Sequence, residues 1–209
     1  MRRRQQETES KTIELLSERL AFERTGVKLY DRIVRKVIDS RGGDGIDDSE
    51  EVAERLGVFR DEEQEHVDWL EERIRELGAD PNEQTDRSIL VQEESKGIVD
   101  VVLESERPLS EMLHALLTAE LIDGTGWDLL VLTLSDEKLL ESCRQYQREE
   151  QRHLTYVKRL VLGFETTPIR AKVQPIASAR SKASRSQAQI GSRRQKQTSQ
   201  SKSRRRRAA

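Results

Sequence analysis

The sequence predicts an all-α chain, a four-helix bundle built from two helical hairpins and a long crossover, with a disordered basic tail behind it. Three observations predict this. Apolar residues before about residue 165 recur at helical rather than alternating spacing. Only four prolines occur in the whole chain. The breaks between the periodic stretches are short, long and short, which is the connectivity of two hairpins joined by a crossover.

Taken in order, residues 1 to 9 in "MRRRQQETES" form a basic N-terminal arm, and helices are expected at about 9 to 40, 48 to 77, 109 to 134 and 136 to 163. The first break, "SRGGDGIDD", is glycine-rich, and Asp47 or Asp48 can cap the helix that follows. The second begins at "LGADPN", a glycine exit followed by proline. Residues 78 to 108 are too long for a simple turn and leave room for a short helix near "SKGIVDVVL". The last two helices meet at "LSDEK", where Ser135 can cap. The bundle domain is thus expected over 10 to 165 and the tail over 166 to 209.

Charge divides the chain at the same place. All 39 Asp and Glu lie at or before Glu165. Residues 1 to 169 carry 24 Lys and Arg against those 39 acids, a formal −15, while residues 170 to 209 carry 13 Lys and Arg and no acid. The tail has no helical apolar stripe and cannot bury enough apolar surface to offset chain entropy. Its Arg193, Arg194, Lys196 and Arg204, Arg205, Arg206 and Arg207 are candidates for contact with nucleic acid or another polyanion through phosphates, with little sequence preference. No window approaches the roughly 18 apolar residues of a membrane span, and the basic start lacks the apolar stretch of a signal peptide, so a cytoplasmic protein is expected. Cys143 is the only cysteine, which excludes an intrachain disulfide and a cysteine-based zinc or rubredoxin-type iron site.

The seams of the four helices carry the chemistry. The second helix reads Leu56, Phe59, Glu63, His66, Leu70, Ile74, and the fourth Leu139, Cys143, Tyr146, Glu150, His153, Val157, at steps of three and four. Both Glu-x-x-His pairs come from one repeated string, "EEQEHVDWL" and "EEQRHLTYV". The first helix places Glu23 mid-seam seven residues before Tyr30, and the third places Glu120 seven residues before Trp127. A lone Glu-x-x-His is usually a surface ion pair, but two copies on the seam with two further seam glutamates are not explained that way. Four carboxylates inside a bundle cost several kcal/mol each unless compensated. Two divalent ions compensate them, and carboxylate with neutral imidazole suits iron or manganese. His114 lies off the seam and reads as a partly exposed helix residue. Tyr30, Trp127 and Tyr146 are core aromatics beside the site, with Tyr30 placed to hydrogen-bond a ligand carboxylate. Asp123, in "ELIDGTGW", reads as a helix-distorting spot rather than an extra carboxylate.

Residues 10 to 163 resemble the ferritin-like superfamily, through the Glu, Glu-x-x-His, Glu, Glu-x-x-His order of bacterioferritins and rubrerythrins. The stretch from "SKGIVDVVL" to "AELIDGTGWDLL" is similar to a group of bacterial ferritin-like domain proteins. The resemblance implies two iron ions, or a Mn/Fe pair, bridged by Glu63 and Glu150, with His66 and Glu23 on one metal and His153 and Glu120 on the other. It implies a ferroxidase- or peroxidase-type oxidoreductase acting on ferrous iron and oxygen or hydrogen peroxide, in iron handling or oxidative-stress defence. Gln64 stands where bacterioferritins have the haem methionine, so no haem is expected; one cysteine leaves no rubredoxin module, and no cage-assembly helix follows Gly163. Leu129 and Leu132, apolar and off the seam, point to a homodimer. The alternative from another class is a metal-free helical interaction module whose basic tail is the working part.

Overall fold

The computed structural model describes residues 2–39, 49–104 and 106–173, with side chains described between 6 and 164. Among the described residues the regular structure is all helical, without a strand: α1 (Arg2–Asp39), α2 (Ser49–Glu76), α3 (Asp86–Val99) running into a π-helical turn (Asp100–Glu104), α4 (Leu109–Thr133) and α5 (Glu137–Val173). No described helix is long and apolar enough to cross a membrane. The chain divides into two compact units, Met1–Phe164 and Glu165–Ala209. In the second, the described part is the end of α5, so residues 166 to 173, expected as the start of the tail, are helical. Arg170, Ala171 and Lys172 are good helix formers. Likewise α1 begins at Arg2 rather than near residue 9, because nothing in "QQETESKT" breaks a helix. The tail arginines and lysine singled out above, from Arg193 to Arg207, and the caps proposed at Asp47 and Asp48, lie outside the described residues.

Local chemistry sets the helix ends. Gly78 leaves α2 at a φ of 80°, the left-handed conformation that favours glycine. Its N–H bonds to the Arg75 carbonyl at 3.0 Å, and Ala79 N–H to the Ile74 carbonyl at 3.1 Å, the paired bonds of a Schellman ending. The crossover holds a longer helix than the sequence suggested. Thr85 caps α3 by accepting from Ser88 N–H, while the Ser88 hydroxyl accepts from Thr85 N–H. The cap of α5 is Asp136 and not Ser135: its carboxylate accepts from Lys138 N–H at 2.9 Å and Leu139 N–H at 3.3 Å.

Four helices wall one interior, which is apolar at its two ends and polar between. One apolar cluster joins Phe22, Leu29 and Ile33 of α1, Leu56 and Phe59 of α2, Met112 and Leu116 of α4, and Val157 and Val161 of α5. The other joins Leu16 and Leu20, Leu70 and Ile74, Trp127 and Leu130, and Leu140 and Cys143. Chain direction follows from which cluster comes first. Helices α1 and α5 run one way, α2 and α4 the other, so α3 must carry the chain back along the whole length between α2 and α4. Burial of Cys143 pushes its thiol up to about 12, and it packs as a small hydrophobe.

Candidate metal centre

Between the two clusters lie Glu23, Glu63, His66, Glu120, Glu150 and His153, each between 0% and 2% exposed. All six seam residues predicted from sequence are therefore brought to one level of the interior. Ligand-capable atoms of Glu23, Glu63, His66 and Glu150 lie within 4.8 Å of one another, as do those of Glu63, Glu120 and His153. Glu63 belongs to both groups, so its carboxylate stands between them. Glu150 reaches both histidines, with Oε1 at 3.1 Å from His66 Nδ1 and Oε2 at 3.5 Å from His153 Nδ1.

The two halves of the chain support each other reciprocally. Trp127 Nε1 of α4 donates to Glu23 Oε1 of α1 at 2.8 Å, and Tyr30 Oη of α1 donates to Glu120 Oε1 of α4 at 2.6 Å. His66 Nε2 lies 3.1 Å from Glu149, and His153 Nε2 lies 2.7 Å from Glu62. Those carboxylates are held below the usual range by the histidine bonds, against an opposing effect of burial that ranks second at Glu149 and first at Glu62. A carboxylate only accepts, so each Nε2 carries the proton and each Nδ1 faces the cluster. Tyr146 packs on His66 with ring centroids 4.4 Å apart, and Phe59 packs on His153 at 4.3 Å. Tyr30, Trp127 and Tyr146, the three aromatics singled out in the sequence, all lie against the cluster. Sequence reading missed the exchange of Glu62 and Glu149 between halves, although both stand first in the repeated "EEQ-x-H".

One side of the centre has a feature the other lacks. Arg19, 4% exposed, reaches across from α1 to α4, with Nη1 at 2.9 Å from the Asp123 carbonyl and 3.0 Å from its carboxylate, and Nε at 3.3 Å from Glu23 Oε1. A Cβ on Gly126 would overlap this guanidinium, so the glycine makes room for it. Asp123 is thus not a spot of helix distortion; it is a buried acid paired to a buried arginine. At the positions matched by the repeat stand Leu116 and Gly26, and a Cβ on Gly26 would lie 2.5 Å from Glu63 Oε2. The only signals for this were "DGTG" and a basic residue between Leu16 and Leu20. His114 is exposed, as expected, and Leu129 and Leu132 lie on the exposed side of α4.

Electrostatics show what the cluster lacks. Burial, then the nearby Glu150, pushes Glu120 up to about 8, and burial with Glu150 and Glu23 holds Glu63 well above the carboxylate range. Burial also works to raise Glu23 and Glu150, but the histidines beside them outweigh it and both lie below the ordinary value. Burial opposes charge on His66 and His153, yet bonds to Glu149 and Glu150 on one and to Glu150 and Glu62 on the other raise both well above the usual imidazole range. The cluster therefore offsets its carboxylates with protons. Even so, Glu63 Oε2 and Glu120 Oε2 have no hydrogen-bond partner, and both Glu150 oxygens and His153 Nδ1 meet their neighbours only as charge contacts outside hydrogen-bond geometry. Orphaned buried acceptors of this density call for a cation. No protein-family model matches the chain, and no curated protein matches it.

Proposed function

We propose that the chain is a ferritin-like four-helix bundle with a non-haem di-iron, or Mn/Fe, centre that oxidises ferrous iron or reduces peroxide or oxygen, in iron handling or oxidative-stress defence. The observation that carries this reading is the set of unpartnered carboxylate oxygens on Glu63, Glu120 and Glu150 facing the Nδ1 side of two buried imidazoles. The residues fit such ions: Glu23 and His66 would hold one, Glu120 and His153 the other, and Glu63 and Glu150 both. Two iron ions so held would supply one electron each to a two-electron acceptor such as hydrogen peroxide or oxygen.

The chain's own residues do the rest. Glu149 and Glu62 keep the protons on the outer histidine nitrogens, so that Nδ1 is the ligating atom. Tyr30 and Trp127 fix one oxygen of Glu120 and of Glu23; the other oxygen of Glu120 is unpartnered, and that of Glu23 lies 3.2 Å from His66 Nδ1 on the cluster side. The apolar clusters on both sides exclude bulk water from the cluster and strengthen its electrostatics.

Metal analysis of the wild-type protein and of Glu63→Ala and His153→Ala, purified under iron-replete conditions, tests the reading. About two irons per chain, lost in both variants, is the result expected for two ions shared by six ligands. A wild-type protein without metal refutes it.

A further inference from the structure

A second site lies on the outer face of α2 and α5. A cavity of about 400 Å³ opens there, rimmed by Arg55, Arg152 and Arg159 with Glu51, and its apolar wall is Phe59 and Tyr156. This volume lies in the range of small-molecule sites. The rim is cationic and only partly committed. Arg152 donates to Glu62 at 2.7 Å, Arg159 stands over the Tyr156 ring at 5.0 Å, and Arg55 and Arg159 have no carboxylate partner among the described residues. Phe59 and Tyr156 meet edge to face at 5.5 Å.

The internal repeat supplies a control within the same molecule. On the opposite side, where Tyr146 and Trp69 take the places of Phe59 and Tyr156, the positions matching Arg152, Arg159 and Arg55 are Glu65, Glu72 and Ser142, and Asp68 matches Thr155. Glu65, Asp68 and Glu72 are exposed. The aromatic layer is thus retained on both sides while the net charge around it changes from acidic to basic, Glu51 against Lys138 being the one exchange in the opposite sense. Aromatic rings pack on both histidines, but three guanidiniums surround only one copy, so packing alone does not account for them.

We propose that this cavity binds a planar anionic molecule, an aromatic ring carrying a phosphate group. The aromatic wall and the guanidinium planes take the ring, and the arginine forks take the phosphate bidentately. A molecule held there is one ring away from the candidate metal centre, since Phe59 lies between the cavity and His153, with centroids 4.3 Å apart. The assignment is independent of metal occupancy.

The probe is flavin mononucleotide, titrated by fluorescence into the full-length protein at high salt, which suppresses non-specific attraction by the basic tail. Riboflavin and inorganic phosphate separate the ring from the anion. Flavin mononucleotide is expected to bind at least about tenfold more tightly than either, and Arg55→Ala/Arg159→Ala to weaken it by at least about tenfold, the cost of losing charge-assisted bonds. Glu65→Ala/Glu72→Ala on the opposite face is expected to leave it unchanged. Both pairs are exposed, so far-UV circular dichroism should show the fold intact. Absence of binding to the wild type, equal binding of riboflavin, or wild-type binding by the double arginine variant overturns the assignment. Metal content measured on the same samples reports separately on the metal centre.

Discussion

Arg19 offers the sharpest test of how the interior is balanced. Replacing it with leucine, the residue at the matching position 116, removes the 2.9 Å hydrogen bond to the Asp123 carbonyl, the 3.0 Å ion-pair contact with its carboxylate and the 3.3 Å contact with Glu23. Asp123 and Glu23 are 3% and 0% exposed, so neither can turn to water. Breaking one side of a buried pair costs about 3–5 kcal/mol, because the remaining charge stays buried. Arg19→Leu/Asp123→Ala removes both charges. Alanine rather than glycine at 123 avoids the penalty of about 1 kcal/mol for glycine inside a helix. What remains is imperfect filling of the space beside Gly126, about 1–2 kcal/mol. Urea unfolding of the chelator-treated protein should therefore show the double variant more stable than Arg19→Leu by about 2 kcal/mol. If the double variant is as unstable as the single, or if Arg19→Leu costs under about 1 kcal/mol, Arg19 and Asp123 do not act as a buried charge pair.

Gly126→Ala should destabilise by about 2–4 kcal/mol, since its Cβ displaces the buried guanidinium; Gly57→Ala, which meets nothing within 4 Å, should gain up to about 1 kcal/mol in the same unfolding assay. Tyr30→Phe leaves buried Glu120 Oε1 without its donor and should cost about 1–3 kcal/mol, read as a lower midpoint at constant slope. For the metal-stripped protein, Glu63, Glu120, His66 and His153 all have folded values above their unfolded ones, so the folded state binds more protons and stability should fall as pH rises from about 6.5 to 8. Metal must displace those protons, so its affinity should rise over the same interval; calorimetry in two buffers of different ionisation heat would detect the released protons, and equal apparent heats would contradict the proton count.

What the sequence alone determined was the identity of the six inward-facing ligand candidates. That much is local. A helix repeats every 3.6 residues, so a glutamate three or four positions from buried leucines must share their face whatever the helix packs against. The glycine exit at Gly78 and the length of the crossover are local in the same sense. The tertiary structure decided who meets whom. Tyr30 to Glu120, Trp127 to Glu23, Glu62 to His153 and Glu149 to His66 join residues 83 to 104 positions apart, and no periodicity states which rotation of one helix faces which rotation of another. Arg19 was invisible for the same reason: on its own helix a basic residue reads as solvated, and only the glycine of a distant helix, with Asp123 one turn before it, turns that position into the interior.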